Sequence, residues 1–534
     1  MKTRKFLCLF VMALAVFALS GCGGSSNSFA ILDTPTSSDV EPVVPETPTS
    51  SDVTPVVPET PTSSDVTPVV PDTPTSGDVT PVVPNVPTSG DVTPVVPETP
   101  TSGDNRPDVP TPPSSGDNRP DIPDSPASSD NTPSTESEDV TTPTTDTDPI
   151  DVTGESYTSS TALENALLID GSTSTYTNIT VNKTGDASGQ SENYDWYGTN
   201  AAVLAKNGAN VTISGTGTTI HSNAVGGNAV FAYGGNSSMN TNNSGDGTKI
   251  TISDAAITTE SNNSGGIMVT GGGVIEASNL TITTSGGSSA AIRSDRGGGT
   301  INVTGGTYTT SGTGSPAIYS TAAITGNDVT LKSNTAQVVV IEGGNSVTLT
   351  DSTLTANHNK LNGQDTTYQA VMIYQSQSGD ASNGSSFFKM AGGSITNAQG
   401  DIFHVTNTTT TITLSESIAI TNNDSAGAFL RASSDSWGSS GSNGGKVTLN
   451  ADGQDINGNM IVDNISSLNL NMSNSSAFNG AINPSGQNGT VSVVIDSSST
   501  WTLTGNSYVT SITNNGTINQ GSYTLYVNGQ AYSN

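Results

Sequence analysis

The stretch 265–320, GGIMVTGGGVIEASNLTITTSGGSSAAIRSDRGGGTINVTGGTYTTSGTGSPAIYS, repeats its own pattern. Residues 273–284, GVIEASNLTITT, are followed 26 positions later by residues 299–310, GTINVTGGTYTT. Both copies alternate branched and polar residues in short segments that are separated by glycine turns. Repeats of this length, built from short strands, indicate a solenoid in which each repeat buries a few apolar side chains against its neighbours.

The composition also favours a solenoid over a compact globular core. Only 31% of the 534 residues are hydrophobic and 5% are aromatic, and Gly, Ser, Thr and Asn dominate the rest. The formal net charge is −32, which disfavours nucleic acid as a partner because phosphates would be repelled.

The N-terminus has the pattern of a bacterial export signal. A basic head, MKTRK, precedes an apolar run over 6–19 that is too short for a comfortable transmembrane helix. The following Leu19-Ser20-Gly21-Cys22 resembles the bacterial lipobox. The resemblance implies a signal peptide over 1–21, cleavage before Cys22, and acylation of Cys22 as the membrane anchor. We therefore expect an exported protein exposed at the cell surface, on the outer membrane if the cell is Gram-negative.

The chain has two cysteines, Cys8 inside the signal and Cys22 at its end. The processed protein would contain no disulfide and no thiolate metal site. Residues 22–151 form a low-complexity segment in which proline recurs every 13 residues and acids abound. Proline stiffness and charge repulsion favour a disordered, extended stalk.

Residues 152–182 are expected to cap the solenoid, with a short helix that begins near Ser160 and Thr161. Residues 183–534 are expected to form the solenoid itself. One apolar anchor per repeat is aligned as Val211, Ile250, Ile275, Ile301, Ile324, Val347, Met390, Ile412, Val447, Leu468 and Val491. Most intervals between anchors suit three short strands and three turns, and helical periodicity is missing.

Three intervals are long, at 39, 43 and 35 residues, and each contains one polar insertion. The insertions are 234–247, 375–386 and 432–445. Each follows the same strand of its repeat, so the three loops should project from one edge of the solenoid.

That strand also predicts an outward stripe. By strand alternation, Arg293 and Asp295 should point away from the core. The equivalent outward residues are Phe231/Tyr233, Met268/Thr270, Tyr319/Thr321, Val340/Glu342, Met372/Tyr374 and Phe403/Val405. Two interpretations stay open: the stripe binds a glycan or protein, or the insertions fold back over it.

The C-terminal stretch 499–518, STWTLTGNSYVTSITNNGTI, resembles the last repeats of autotransporter passenger domains. The repeat style of 200–530 is similar to adhesin-like lipoproteins of bacterial surfaces and to pectate-lyase-like solenoids. The resemblance implies an all-β, right-handed parallel β-helix. No translocator barrel follows in the sequence, so Cys22 is the expected anchor.

Catalytic signatures are missing from the sequence. The paired aspartates, Gly-His-Gly and Arg-x-Lys of polygalacturonase-like hydrolases do not occur, and Arg293 with Asp295 is better explained as a surface ion pair. No metal, cofactor or catalytic residue is predicted. Aromatic and charged residues that could contact a sugar are the ligand-binding candidates: Tyr194, Trp196, Tyr233, Arg293, Asp295, Tyr319, Tyr374 and Trp437, of which Trp437 is expected to be exposed.

These observations favour a monomeric, lipid-anchored, non-catalytic adhesin that binds a polysaccharide or host glycan through one edge of the β-helix. Two alternatives remain: a polysaccharide lyase or hydrolase, and a structural spacer of the cell coat.

Overall fold

The computed structural model describes residues 149–187, 192–236 and 244–533. These residues form 42 strands and one short helix, Asn193–Tyr197. The strands stack into long parallel sheets, which confirms the all-β, parallel β-helix prediction. The predicted signal peptide, Cys22 and nearly all of the predicted stalk lie outside the described residues.

Three long sheets build the solenoid, and each contributes one strand to a full turn of the chain. The first sheet consists of Ile150–Thr153, Thr173–Thr177, Asn210–Ser214, Lys249–Ser253, Gly273–Ser278, Gly299–Thr304, Ala323–Asn327, Ser346–Thr350, Ser385–Ala391, Thr409–Ser415, Lys446–Asp452, Ser467–Ser473, Thr490–Ile495 and Ser511–Asn514. The second consists of Ser156–Ser159, Thr180–Lys183, Thr219–Ser222, Ala256–Thr259, Thr281–Thr284, Thr307–Thr310, Thr330–Ser333, Thr353–Ala356, Ser394–Asn397 and Ala419–Asn422. The third consists of Leu167–Asp170, Val203–Lys206, Val230–Tyr233, Ile267–Thr270, Ile292–Ser294, Ile318–Ser320, Val339–Glu342, Gln369–Tyr374, Asp401–Thr406, Leu430–Ala432 and Met460–Val462.

Two smaller sheets complete the C-terminal turns. One contains Asp455–Asn457, Ala477–Asn479, Thr500–Thr502 and Thr517–Asn519, and the other contains Ser507–Val509, Leu525–Val527 and Gln530–Ala531. The last two strands pair antiparallel, unlike every other pair of strands in the described residues.

The offset of 26 residues predicted from the repeat is the pairing register of the two strands. Gly273 pairs with Gly299, and Ile275 pairs with Ile301. All eleven predicted anchors lie in the first sheet and are buried. The predicted alignment slips by two residues at two steps: Met390 is two residues late, because Val347 pairs with Phe388, and Val447 is two residues early, because Ile412 pairs with Leu449. A shift of two residues keeps a side chain on the same face of its strand, so these anchors are buried all the same.

Glycine turns let successive repeats stack closely. A Cβ atom on Gly312 would lie 1.7 Å from the backbone oxygen of Gly286, and one on Gly286 would lie 1.9 Å from that of Ser261. Only glycine fits at these two positions, because each turn rests on the backbone of the turn below it.

The helix predicted near Ser160 and Thr161 is wrong. Residues 160–166 form turns, and Leu167–Asp170 is the first strand of the third sheet. The backbone amide of Leu167 donates to the oxygen of Ala202, which joins this segment to the next repeat. Pairing along the sheet outweighs the local helix signal, since an isolated helix of two turns is marginal in water.

The loops at two corners of the solenoid cover the third sheet. The three predicted insertions do connect the third sheet to the first and follow equivalent strands, although residues 237–243 of the first insertion lie outside the described residues. Two further long connections lie at the opposite corner, between the second and third sheets: 184–202, which contains the helix, and 357–368. The corresponding connection in an unadorned repeat is only 285–291. The outer face of the third sheet is therefore flanked by long loops on both sides.

Candidate functional site

The predicted outward stripe is a continuous column on the third sheet. Paired residues along it are Leu168, Leu204, Phe231, Met268, Arg293, Tyr319, Val340, Met372, His404, Arg431 and Ile461. The prediction was wrong for Phe403 and Val405, which face the core, while His404 between them takes the outward position. A one-residue error in alignment moves every side chain of a strand to the opposite face.

The middle of this column is sealed from solvent. Side chains from Phe231 to His404 along it are at most 2% exposed. The loops at both corners fold over the sheet, so the second of the two interpretations of the stripe describes the structure. The predicted candidates on the column, Arg293 and Tyr319, do not face an open surface.

Two apolar clusters hold the covering loops in place. The first joins Ala201 to Leu204, Phe231 and Met268, with the half-buried Tyr233 against it. The second consists of Ala290, Tyr319, Val340, Met372, Tyr374 and Trp437. The expectation that Trp437 is exposed is wrong: it is 2% exposed, and its ring lies 4.8 Å from that of Tyr374. The third insertion folds inward because this indole fills the space above the sheet.

A buried ionic group ties the helix to the stripe. Arg293 Nη1 lies 2.8 Å from Asp195 Oδ1, and its Nη2 lies 3.4 Å from Asp295 Oδ2. All three side chains are almost fully buried. Burial alone would lower the pKa of Arg293, but the two carboxylates outweigh burial and raise that pKa. Burial also raises the pKa of Asp195 and of Asp295 above the ordinary aspartate value.

The aromatic residues of the helix segment are occupied by the protein itself. The guanidinium carbon of Arg296 lies 3.7 Å from the ring centre of Trp196, and its Nη2 lies 3.4 Å from Asp380 Oδ1. Tyr194 is 4% exposed, and its hydroxyl is 3.5 Å from the side-chain amide of Asn263. The Tyr194 ring is therefore inaccessible to a sugar, and Arg296 covers one face of the half-buried Trp196 ring.

Glu342 is buried in the sealed region within a ring of hydroxyl groups. Tyr374 donates to its carboxylate at 3.0 Å and Ser378 at 3.4 Å, and Tyr319 and Ser376 also donate to it. No salt bridge to Glu342 occurs among the residues that the structure describes. Burial raises the pKa of Glu342, and the hydroxyl donors offset only part of that effect. The hydroxyls of Ser376 and Ser378 fasten the second insertion, which spans 375–384 between its flanking strands, to the sheet.

We expect Glu342→Gln to change the pH dependence of stability. The folded pKa is raised, so the folded protein holds this proton at pH values where the unfolded chain has lost it. Its contribution is therefore greatest below the unfolded pKa and declines as pH rises through the folded pKa. Urea unfolding should find the variant level with the parent at pH 4 and more stable at pH 8.

The matched control for that prediction is Glu276→Gln, since Glu276 is a partly exposed carboxylate on the first sheet. Its replacement should change stability by no more than about 1 kcal/mol, the contribution expected of an exposed ion pair. A loss of stability in Glu342→Gln at pH 8 would show that the charged form of Glu342 is the one the fold requires.

An open cleft lies beside the sealed region, between the second and third insertions. It has a volume of about 190 Å³. Its lining residues are Gln375, Asn383, Gly384, Asn407, Thr408, Thr409, Ser442, Gly444 and Lys446. Side-chain amides link the residues of the cleft. Asn407 Nδ2 donates to the backbone oxygen of Gln375 at 2.6 Å, and Gln375 Nε2 donates to Asn383 Oδ1 at 3.0 Å. The lining contains no carboxylate and no aromatic ring.

A second open cleft, of about 450 Å³, lies on the other side of the third insertion. Thr366 donates to Asp435 Oδ1 at 2.6 Å across it, and the remaining lining is mostly serine and glycine. Sequence reasoning missed both clefts. The only available signal was the position of the insertions, because their composition is that of the whole chain.

The described residues contain no cluster of His, Cys, Asp and Glu side chains that could hold a metal ion. Among them, no helix is both long and apolar enough to cross a membrane.

No protein-family model matches the sequence. A search of curated proteins likewise finds no significant match. The function of this β-helix must therefore be inferred from its own residues.

Proposed function

We propose that the chain is a lipid-anchored bacterial surface protein that binds carbohydrate without catalysing a reaction, and that the cleft between the second and third insertions is its binding site. The observation that carries the proposal is the cleft lining. Amide, hydroxyl and ammonium groups from Gln375, Asn383, Asn407, Ser442 and Lys446 meet there. Such groups supply the donors and acceptors that sugar hydroxyls require.

The carboxylates of the chain support binding over catalysis. Glycoside hydrolysis uses a pair of carboxyl groups that flank the scissile bond, and the cleft lining contains none. The carboxylates Asp195, Asp295 and Glu342 of the covered region are buried beneath the loops and engaged by Arg293 or by hydroxyl groups. A polysaccharide cannot reach them unless the covering loops detach.

The anchor and stalk complete the proposed arrangement. Acylation at Cys22 would hold the chain on the membrane, and the proline-rich segment over 22–151 would carry the β-helix away from the cell surface. Mass spectrometry of the protein from its bacterial membrane should find a diacylglycerol on Cys22, and Cys22→Ser should release the protein from the membrane fraction.

The binding site is tested on a glycan array with the full chain. We expect Lys446→Ala to weaken the binding of retained glycans about tenfold, the loss expected for one charge-assisted hydrogen bond. Lys446 is exposed, so its replacement should leave stability within about 0.5 kcal/mol of the parent. Lys389→Ala is the matched control, because Lys389 is an exposed lysine of the same sheet outside the cleft.

Three outcomes would contradict the proposal. Equal losses in both lysine variants would indicate non-specific charge attraction rather than a site. Absence of retention on a broad array would favour a structural spacer. Release of unsaturated or reducing-end products from a polysaccharide would show that the protein is an enzyme.

A further inference from the structure

The outer face of the second sheet carries two columns of threonine. The first column consists of Ser156, Thr180, Thr219, Ala256, Thr281, Thr307, Thr330, Thr353, Ser394 and Ala419. The second consists of Thr158, Asn182, His221, Thr258, Thr283, Thr309, Lys332, Thr355, Thr396 and Thr421. All these residues are exposed or half-exposed, and no long loop covers the face. The outer face of the third sheet, in contrast, is covered by loops.

Four threonines in the middle of this face do not hold the fold together, although Thr219 donates to the Thr180 hydroxyl at 3.5 Å nearer its N-terminal end. Buried hydroxyls at the end of the same strands have protein partners: Thr284 donates to the Ser289 oxygen and Thr310 to the Ser315 oxygen, each at 2.5 Å. By contrast, the outward hydroxyls of Thr281, Thr283, Thr307 and Thr309 make no hydrogen bond to another atom of the described protein. These solvent-accessible hydroxyls are available to bond to water or to a ligand.

The charge of this face is also unlike that of the chain. The sequence contains 47 acidic residues, yet neither column contains one, and only His221 and Lys332 can carry charge. The outer face of the first sheet, in contrast, includes Lys249, Glu276 and Lys389. At the edge of the face Glu260 lies 3.3 Å from His221, so the part that is free of charge is the one formed by Thr281, Thr283, Thr307 and Thr309. An uncharged surface in so acidic a chain fits an uncharged partner.

The geometry of the face is periodic in two directions. Adjacent strands lie about 4.8 Å apart, and alternate residues along a strand lie about 6.7 Å apart, so the hydroxyls form a near-rectangular array. Each threonine also carries a methyl group. No aromatic side chain stands among them, so a sugar has no ring to stack on, and the methyl groups alone offer too little apolar surface for a stable dimer.

We propose that this threonine face binds ice. Ice is an uncharged solid whose surface oxygens repeat at distances of the same order as the spacings of the array. Water ordered by the hydroxyls and methyl groups can merge with such a lattice, and a rigid parallel sheet holds the array in place without further loss of conformational entropy. Lys332 interrupts the second column, because its ammonium group requires its own hydration shell at that position.

The test uses the purified full chain in assays of thermal hysteresis and ice recrystallisation. The parent should slow recrystallisation, and the double variant Thr283→Tyr/Thr309→Tyr should lose that activity because two phenol rings stand in adjacent rows of the array. The matched control is Thr325→Tyr/Thr348→Tyr on the first sheet. These residues also pair in adjacent strands, and they have the same pattern of exposure. The control should retain full activity.

An increase in thermal hysteresis provides a second readout, because a variant that merely misfolds would lose activity rather than gain it. Lys332→Thr completes the second column between Thr309 and Thr355, so it should increase thermal hysteresis over the parent. No ice activity in the parent and in Lys332→Thr would overturn the proposal, and so would equal losses in the two tyrosine variants. Sedimentation that reveals a dimer abolished only by Thr283→Tyr/Thr309→Tyr would assign the face to a second copy instead. None of these outcomes depends on the sugar cleft.

Discussion

Replacing Arg293 by methionine should lower the free energy of unfolding by about 3–5 kcal/mol. The guanidinium neutralises Asp195 and Asp295 in a region without solvent, and methionine of similar length leaves both carboxylates buried and unpaired. Desolvation then favours protonation of both acids or separation of the helix segment from the sheet. Urea unfolding followed by circular dichroism measures the loss, and Trp196 fluorescence reports whether the helix segment separates first.

Arg296→Met is the control for that result. Arg296 is partly exposed and makes a cation–π contact with Trp196 and a 3.4 Å ion pair with Asp380. Its replacement should cost about 1 kcal/mol or less. Adding Asp195→Asn and Asp295→Asn to Arg293→Met should recover part of the stability, because the unpaired charges are removed with the cation. Equal effects of the two arginine variants would show that the buried group has no special role.

Phe403→Ala should also lower stability by about 3–5 kcal/mol. The Phe403 ring lies inside the solenoid, 5.5 Å from the ring of Phe388 and 5.7 Å from that of Phe429. Truncation leaves a cavity between the aromatic side chains of two successive turns, and the surrounding strands cannot close it because their backbones are paired on both sides.

The chain offers an internal control of the same residue type. Phe387 precedes Phe388 but points outward from the first sheet and is 51% exposed. Phe387→Ala should therefore change stability by no more than about 0.5 kcal/mol. A small loss at Phe403 with a large loss at Phe387 would mean that the strand faces are assigned the wrong way round.

The repeat could be predicted from sequence because its signals are local. Glycine turns, and strands with one apolar face, recur at a fixed offset. The pairing of Gly273 with Gly299 therefore follows from the amino-acid sequence alone. Even the misaligned anchor Met390 is buried, since an even shift preserves its face.

The coverage of the third sheet by loops, and which of its side chains face outward, could not be predicted in the same way. Every residue of Asp401–Thr406 is buried, so the alternation that separates an inner from an outer face disappears, and His404 was assigned to the wrong side. Whether Trp437 turns outward or inward depends on packing between loops distant in sequence. The long connection 184–202 was visible as a wide gap between strands, but only gaps at the other corner were read as insertions. The open cleft could not be predicted either, because its Asn, Ser, Thr and Gly residues are common throughout the chain and give no distinct sequence signal.

The central claim is that ligand binds at the open cleft and not at the sealed stripe. Hydrogen–deuterium exchange of the full chain, with and without a glycan retained on the array, tests it most directly. The account predicts slower exchange in residues 375–384, 407–409 and 442–446, with no change in the helix Asn193–Tyr197. Protection of that helix and of the strand Ile292–Ser294, with an unchanged cleft, would contradict the account and would place the binding site beneath the covering loops.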